Sequence, residues 1–503
     1  MPASTAFSPS RRARGVAIET RYKQLGAAGT RYRPVRIAVF GQADANYSGS
    51  MAKRQVFTKE EVGELYGYTS PLYLMVRNLL PSNGDGVGDI PVWVYPLTVG
   101  TGVQAVATLT PSGTQTKTQT YYVKVNNLLS APITMVKDDT VADFIGAAVS
   151  AINGVIGMPG LAADETTYMS FTAGWDGANG SNLYLEVVAP DDAEMSFAIV
   201  QPTGVGDSVV GSGTIDVEAA GEGLNLIGEA WDTHVISALD YDDDTNLDKF
   251  ELFGEGRWQP EVRKPLIVFT GTNEATLATL TAVTDARKDD RTNVICPNPG
   301  SNDLPFLIAA DYVRRIAKRA NENPPFDYGG LIMPALSPGL DSVQWSSSQR
   351  DTAVKAGLST AEIVDGAVRI SDVVTCYHPT GEDPPAYSYA VDIEKIATMI
   401  YQFELEFNGS NWLGHPLIPN DQATKNPEAR KPNDAIAAMW RIFDNAALDA
   451  IISDPDFAKE NSTADISSVN PKRLDIVATF KLSGNANVIA ITLNFGFYYG
   501  GNS

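Results

Sequence analysis

The chain is short of the side chains that most often carry chemistry. Its 503 residues include two cysteines, Cys296 and Cys376, and three histidines, His234, His378 and His415. Two thiols far apart in sequence make neither a disulfide framework nor a zinc site, and the histidines show no ligand spacing. So few thiols fit assembly in a reducing cytoplasm. No run of about 18 apolar residues occurs, so no membrane-spanning helix is expected. Met1-Pro2-Ala3-Ser4-Thr5 leads into arginines rather than an apolar stretch, so no secretory signal is read. The phosphate-binding Gly-x-x-x-x-Gly-Lys-Ser/Thr pattern and the Gly-x-Ser-x-Gly nucleophile turn are both missing. Gly84-Asp85-Gly86-Val87-Gly88-Asp89 has the glycines of a phosphate loop, but a proline-bracketed strand follows where a helix N-terminus is needed. It reads as a plain loop.

Positive charge is scarce and uneven. The chain carries a net charge of −22, yet residues 1–36 hold Arg11, Arg12, Arg14, Arg21, Lys23, Arg31, Arg33 and Arg36 against the single acid Glu19. That arm is +7, which leaves −29 for the rest. Val16, Ile18, Thr20 and Tyr22 alternate with Ala17, Glu19 and Arg21, a short strand pattern, and Gly26–Thr30 reads as a hinge. A basic arm can bind nucleic acid. Beside so acidic a body, docking onto a second copy of the chain is the favoured reading, and the body itself is not expected to bind nucleic acid.

The fold class expected is α/β plus β-rich and multidomain, with five segments. Residues 1–34 form the extended basic arm. Residues 35–97 give a strand at Val35–Phe40, a helix capped by Thr58, a helix opening at Pro71, and an edge or terminal strand at Pro91–Leu97. Residues 98–225, rich in Thr, Gly, Ser and Val, read as an independent inserted β module with one helix (Val141, Phe144, Ile145, Ala148, Ile152). Its expected strands include Gln104–Leu109, Tyr121–Val125 and Asn182–Val188. Residues 226–350 alternate strand and helix, which implies a parallel sheet: strands at His234–Leu239, Pro265–Thr270 and Thr292–Cys296, helices near 246–256, 274–287 and 305–320. Residues 351–503 contain a hairpin turning at Asp365-Gly366, a strand at Val373–Tyr377, and two amphipathic helices. One helix would present Ile393, Ile396, Ile400, Phe403 and Phe407, the other Ile436, Trp440, Phe443, Ala447 and Ile451. Leu474, Ile476, Ala478, Phe480 and Leu482, then Ile489, Ile491, Leu493 and Phe495, alternate with polar neighbours around Ser483–Ala486. This predicts a closing β-hairpin.

Catalytic candidates are thin. Asp240-Tyr241-Asp242-Asp243-Asp244 follows a strand of the α/β segment, where open sheets place active sites. It reads mainly as a strand-to-helix turn whose last acid caps the helix, with a weak divalent-cation site as the alternative. Cys376 and His378 form a Cys-x-His pair that composition alone explains. No cofactor, catalytic or metal residue is nominated.

The order of several stretches resembles tail sheath proteins of Mu-like contractile phages. They are Gly177-Ala178-Asn179-Gly180-Ser181-Asn182, Gly254-Glu255-Gly256-Arg257-Trp258 followed by Gly271-Thr272, Asp365 through Tyr377, and Asn470-Pro471-Lys472-Arg473-Leu474-Asp475-Ile476-Val477. The resemblance spans most of residues 90–495. It implies a structural subunit of the virion, assembled in the bacterial host cytoplasm. Such subunits stack as hexameric rings around a tail tube, with baseplate and tail terminator proteins as further partners, and are linked by strands added to neighbouring sheets. Contraction then drives the tube through the host envelope. On this reading Arg14, Val16, Ile18, Thr20, Arg21 and Tyr22 form one linking strand. Leu474, Ile476, Ile489, Ile491, Leu493 and Phe495 form another strand or the sheet that receives it. Residues 35–97 with 351–503 would make the inner domain, and Lys425, Arg430 and Lys431 are candidate tube contacts, although a solvated helix start is the favoured reading of those three. The alternatives are a surface-binding, adhesin-like module built on the β segment, and a metal-dependent hydrolase using Asp240–Asp244.

Overall fold

Five parallel strands and one antiparallel strand form the central sheet. The computed structural model describes residues 32–382 and 384–496, in two compact units: residues 32–404 with 482–496, and residues 405–481. The proposed arm strand, with Arg14, Val16, Ile18, Thr20, Arg21 and Tyr22, lies outside the described residues.

In the larger unit the sheet order is Asn293–Pro297, Ile267–Thr272, His234–Ser237, Ile37–Gln42, Val92–Leu97 and Arg54–Val56. Only the last strand runs antiparallel to its neighbour. Every residue of Ile37–Gln42 is buried, as expected of a parallel strand covered on both faces. Ile37, Val39, Ile236 and Phe269 pack with the helices Pro71–Leu79 and Pro305–Glu322. Ala38 and Phe40 join the opposite core with Phe250 of the helix Asp244–Trp258. There Phe40 stacks on Tyr95 at 4.7 Å and meets Phe250 edge-on at 5.9 Å.

This sheet joins segments that the sequence reading assigns to different domains. Residues 35–97 and 226–297 are one layer, because a long insertion between two parallel strands leaves their pairing intact. The strand Val92–Leu97 is also not at the edge. Arg54–Val56 pairs with it only as far as Val94, so Pro96 meets no partner on that side.

Local signals are obeyed closely. Thr58 accepts from Glu61 N, Ser70 caps the helix that opens with Pro71, and Thr140 with Asp143 makes a capping box for Val141–Asn153. Asp365 (φ 53°) and Gly366 (φ 74°) turn the hairpin of Thr360–Val364 and Ala367–Asp372. The segment 98–225 folds as two small sheets around the long strand Val99–Gly113, with Gln119–Val125 and Leu185–Val188 in the second. It is not independent. Phe144, Phe171 and Trp175 belong to the same continuous core as Ile236 and Phe269, and Trp175 meets Phe306 edge-on at 5.6 Å.

Two predictions fail near the end of the chain. Val373–Tyr377 forms no strand beyond a single bridge from Val374 to Tyr389, because the Cys376 amide instead donates to the Asn293 carbonyl at 2.9 Å. The closing hairpin is absent among the described residues. Leu474–Val477 pairs instead with Thr463–Ile466, which supplies a nearer antiparallel partner, and residues 483–496 are in no strand. In this smaller unit the helix Pro432–Leu448 buries Ala435, Met439, Ile442, Phe443 and Ala446. Its buried stripe is thus offset from the predicted one, and Trp440 is exposed.

Candidate functional site

An open parallel sheet offers a ligand crevice where two adjacent strands send their connections in opposite directions. Here those strands are Ile37–Gln42 and His234–Ser237. The chain steps from the first to Val92–Leu97 on one side, and from the second to Ile267–Thr272 on the other. At their carboxyl ends stand Gln42 and Ala238, and the space is taken by the protein's own Asn179. Gln42 Nε2 donates to Asn179 Oδ1 at 2.9 Å, and Asn179 Nδ2 donates to Gln42 Oε1 at 3.2 Å and to the Ala238 carbonyl at 2.8 Å. Trp175 Nε1 also donates to Asn179 Oδ1, at 3.0 Å. Asn179 is buried, so the turn 177–182 closes the crevice with a saturated polar plug.

What lies beside the plug is acidic. A shallow cavity of about 310 Å³ is lined by Ser181, Asn182, Asp240, Tyr241, Asp242 and Glu274, with no lysine or arginine in its lining. Such a wall repels phosphates. Asp243, rather than the last acid Asp244 that the turn predicts, caps the helix Asp244–Trp258 by accepting from Asn246 N, since Asp244 already lies in the first turn. Burial pushes the Asp240 carboxyl up to about 6, although Asn182 Nδ2 donates to it at 2.9 Å. Among the described residues, no group of three His, Cys, Asp or Glu is placed to hold a metal ion. Nor does any helix among them combine the length and apolarity to cross a membrane.

The Cys-x-His pair is not a dyad. His378 Nδ1 lies 2.7 Å from the Cys376 carbonyl oxygen rather than its thiol, and Nε2 lies 3.1 Å from Asp285. The Cys376 thiol is buried, and burial raises its pKa well above the usual value.

The assembly candidates fall into separate places. Leu474 and Ile476 are half-buried in a strand that already has a partner in the chain. Val488, Ile489, Ile491 and Leu493 are 89%, 75%, 75% and 83% exposed, and Phe495 is 87% exposed. Lys425 is exposed. Arg430 is committed locally, donating to the Asn411 carbonyl at 2.7 Å and the Pro427 carbonyl at 3.2 Å, and Lys431 Nζ donates to the Asn420 carbonyl at 3.1 Å.

Sequence reasoning missed the last two arginines of the basic arm. Arg33 is buried, paired with Glu394 and set 5.1 Å from the Trp231 ring centroid. Arg36 pairs with Asp232, which also accepts from the Tyr95 hydroxyl, and lies 4.1 Å from the Trp93 ring centroid. Their direct adjacency to the first buried strand was the available signal. His234, wholly buried, has Nε2 3.6 Å from Glu394. Burial lowers its pKa to about 4 despite that carboxylate, so the ring is neutral and the contact is dipolar.

No family model matches the chain, and no curated protein matches it. Among solved structures it is similar to a sheath tail protein from Desulfitobacterium hafniense, at 12% identity over 93% of this chain and 100% of that one, with a TM-score of 0.47. A sheath tail protein from Listeria innocua is similar at 10% identity over 91% and 94% of the two chains, with a TM-score of 0.46. The contracted sheath of an extracellular contractile injection system is similar at 10% identity over 97% and 98%, with a TM-score of 0.47.

Proposed function

We propose that the chain is a structural subunit of a contractile tail sheath, built to bind copies of itself around a tail tube. The observation that carries this reading is the 488–495 segment. Its apolar residues alternate with period two, as in a strand with one buried face, yet Ile489, Ile491 and Leu493 are at least 75% exposed. An alternating apolar segment exposed to water is suited to add as a strand to another chain's sheet edge, and β-augmentation between copies satisfies it. The saturated plug at the sheet's crevice supports a structural rather than a catalytic role.

In this assembly the 1–34 arm provides the second link, between rings that are hexameric. Main-chain hydrogen bonds hold while the bodies they join rotate, so the mesh survives contraction as the tube passes through the host envelope. Lys425 is the exposed basic residue for the tube, and baseplate and terminator proteins close the ends. The assembly is part of a virion and forms in the host cytoplasm.

Purified parent protein should form tubes or polysheaths by negative-stain microscopy. The triple variant Ile489→Asp, Ile491→Asp, Leu493→Asp should stay monomeric with an unchanged melting temperature, as should a form lacking residues 1–30. A parent that remains monomeric at high concentration overturns the proposal.

A further inference from the structure

The helix Ala390–Phe407 carries two buried charges at consecutive positions, Glu394 and Lys395. Each holds a different end of the described chain. Glu394 pairs with Arg33, 361 positions away, at the root of the 1–34 arm. Lys395 Nζ donates to Asp392 Oδ1 at 2.9 Å, to the Ser483 carbonyl at 2.7 Å and to Asn485 Oδ1 at 2.6 Å. An ammonium has three donors, and all three are used. Asn485 Nδ2 adds a bond to the Pro325 carbonyl at 2.8 Å, and Asn487 bonds the Tyr389 hydroxyl just before the helix. The root of the 488–496 segment is therefore tied at several points.

We infer that Glu394 and Lys395 are the positioning residues that set where both linking segments leave the body, so that one helical turn joins the two links. Neighbouring residues of a helix point about 100° apart, so the two roots reach adjacent sides of the same rigid turn. Tension arriving through one link then passes to the other through hydrogen-bonded backbone and two buried charges, with no need to cross the apolar core. The anchoring stands on geometry alone. Its consequence for assembly rests on the sheath reading.

Hydrogen exchange on the full chain tests the anchoring apart from that reading. Lys395→Met, similar in length and uncharged, should speed exchange of residues 483–487 roughly tenfold or more, while leaving residues 32–36 and the strand Ile37–Gln42 protected. Asn485→Ala removes the same bond from the segment's side and should give the same local release even if the Met variant folds poorly. Glu394→Gln should release residues 32–36 and spare 483–487. Unchanged exchange at 483–487 in Asn485→Ala and in a folded Lys395→Met overturns the anchoring. Where the parent forms tubes, Asn485→Ala and Glu394→Gln should form fewer while still folded, and full assembly by both overturns the role in linkage. If the parent forms none, the sheath reading falls, and the exchange data still decide whether the helix holds both roots.

Discussion

The side-chain amides of Gln42 and Asn179, 137 positions apart, are bonded to each other in both directions, at 2.9 and 3.2 Å. Gln42 ends a core strand of the parallel sheet and Asn179 belongs to a turn of the inserted module. Their pairing fills the crevice in which sheets of this order hold ligands. The same fold element that often makes an enzyme is here converted into a joint between two layers.

Asn179→Ala should therefore be costly. It leaves the Gln42 amide and Trp175 Nε1 buried without their partner, and each such group costs about 1–3 kcal/mol. A loss of roughly 3 kcal/mol is expected in urea denaturation followed by tryptophan fluorescence. The double variant Asn179→Leu with Gln42→Leu should lose less than the sum of its single changes, because both halves of the amide pair leave together.

His234 makes stability depend on acid. Burial lowers its pKa in the folded protein from 6.5 to about 4, so the unfolded chain takes up the proton first as pH falls. Its contribution is intact above pH 6.5, declines down to about pH 4 and is flat below. The difference is on the order of 3 kcal/mol. Asp240 and Asp303, both raised to about 6 by burial, act in the opposite direction. Comparing the parent with His234→Gln across this range isolates the histidine. Parallel stability curves for the two proteins would refute the assignment.

Two glycines of the sequence motifs should respond differently to alanine. A Cβ on Gly271 would run into the Pro305 carbonyl oxygen, where the helix Pro305–Glu322 crosses the sheet. Backbone cannot step aside cheaply, so Gly271→Ala should cost about 3 kcal/mol or more. Gly366 has φ of 74° and open space around it, so Gly366→Ala should cost only about 1 kcal/mol, all of it conformational. Thermal melting of the two variants should separate them clearly.

Features decided within a few residues were legible. Thr58 before Lys59-Glu60-Glu61, Ser70 before Pro71, and Asp365-Gly366 between alternating strands each state their structure locally. The acidic turn after His234–Ser237 was readable as a cap, but one residue off: Asp243 supplies it, not the last acid Asp244. The plug was half legible: the Gly-rich turn 177–182 stood out, but nothing in it names Gln42 or Ala238 as its target. Arg33 and Arg36 were counted with the arm's charge because a sequence does not show that Glu394 and Asp232 wait for them.

The amino-acid sequence by itself determined the caps, turns, mixed α/β character and acidic surface, since these follow from propensity and charge over short windows. Tertiary structure alone decided three things. It joined residues 35–97 and 226–297 in one sheet, paired Leu474–Val477 with Thr463–Ile466, and tied both chain roots to one helical turn. Alternation tells a strand that it has an apolar face, but not which edge will cover it. That choice is made by loop closure and competition among all available edges. Among the described residues, that competition left the 488–496 segment outside every strand.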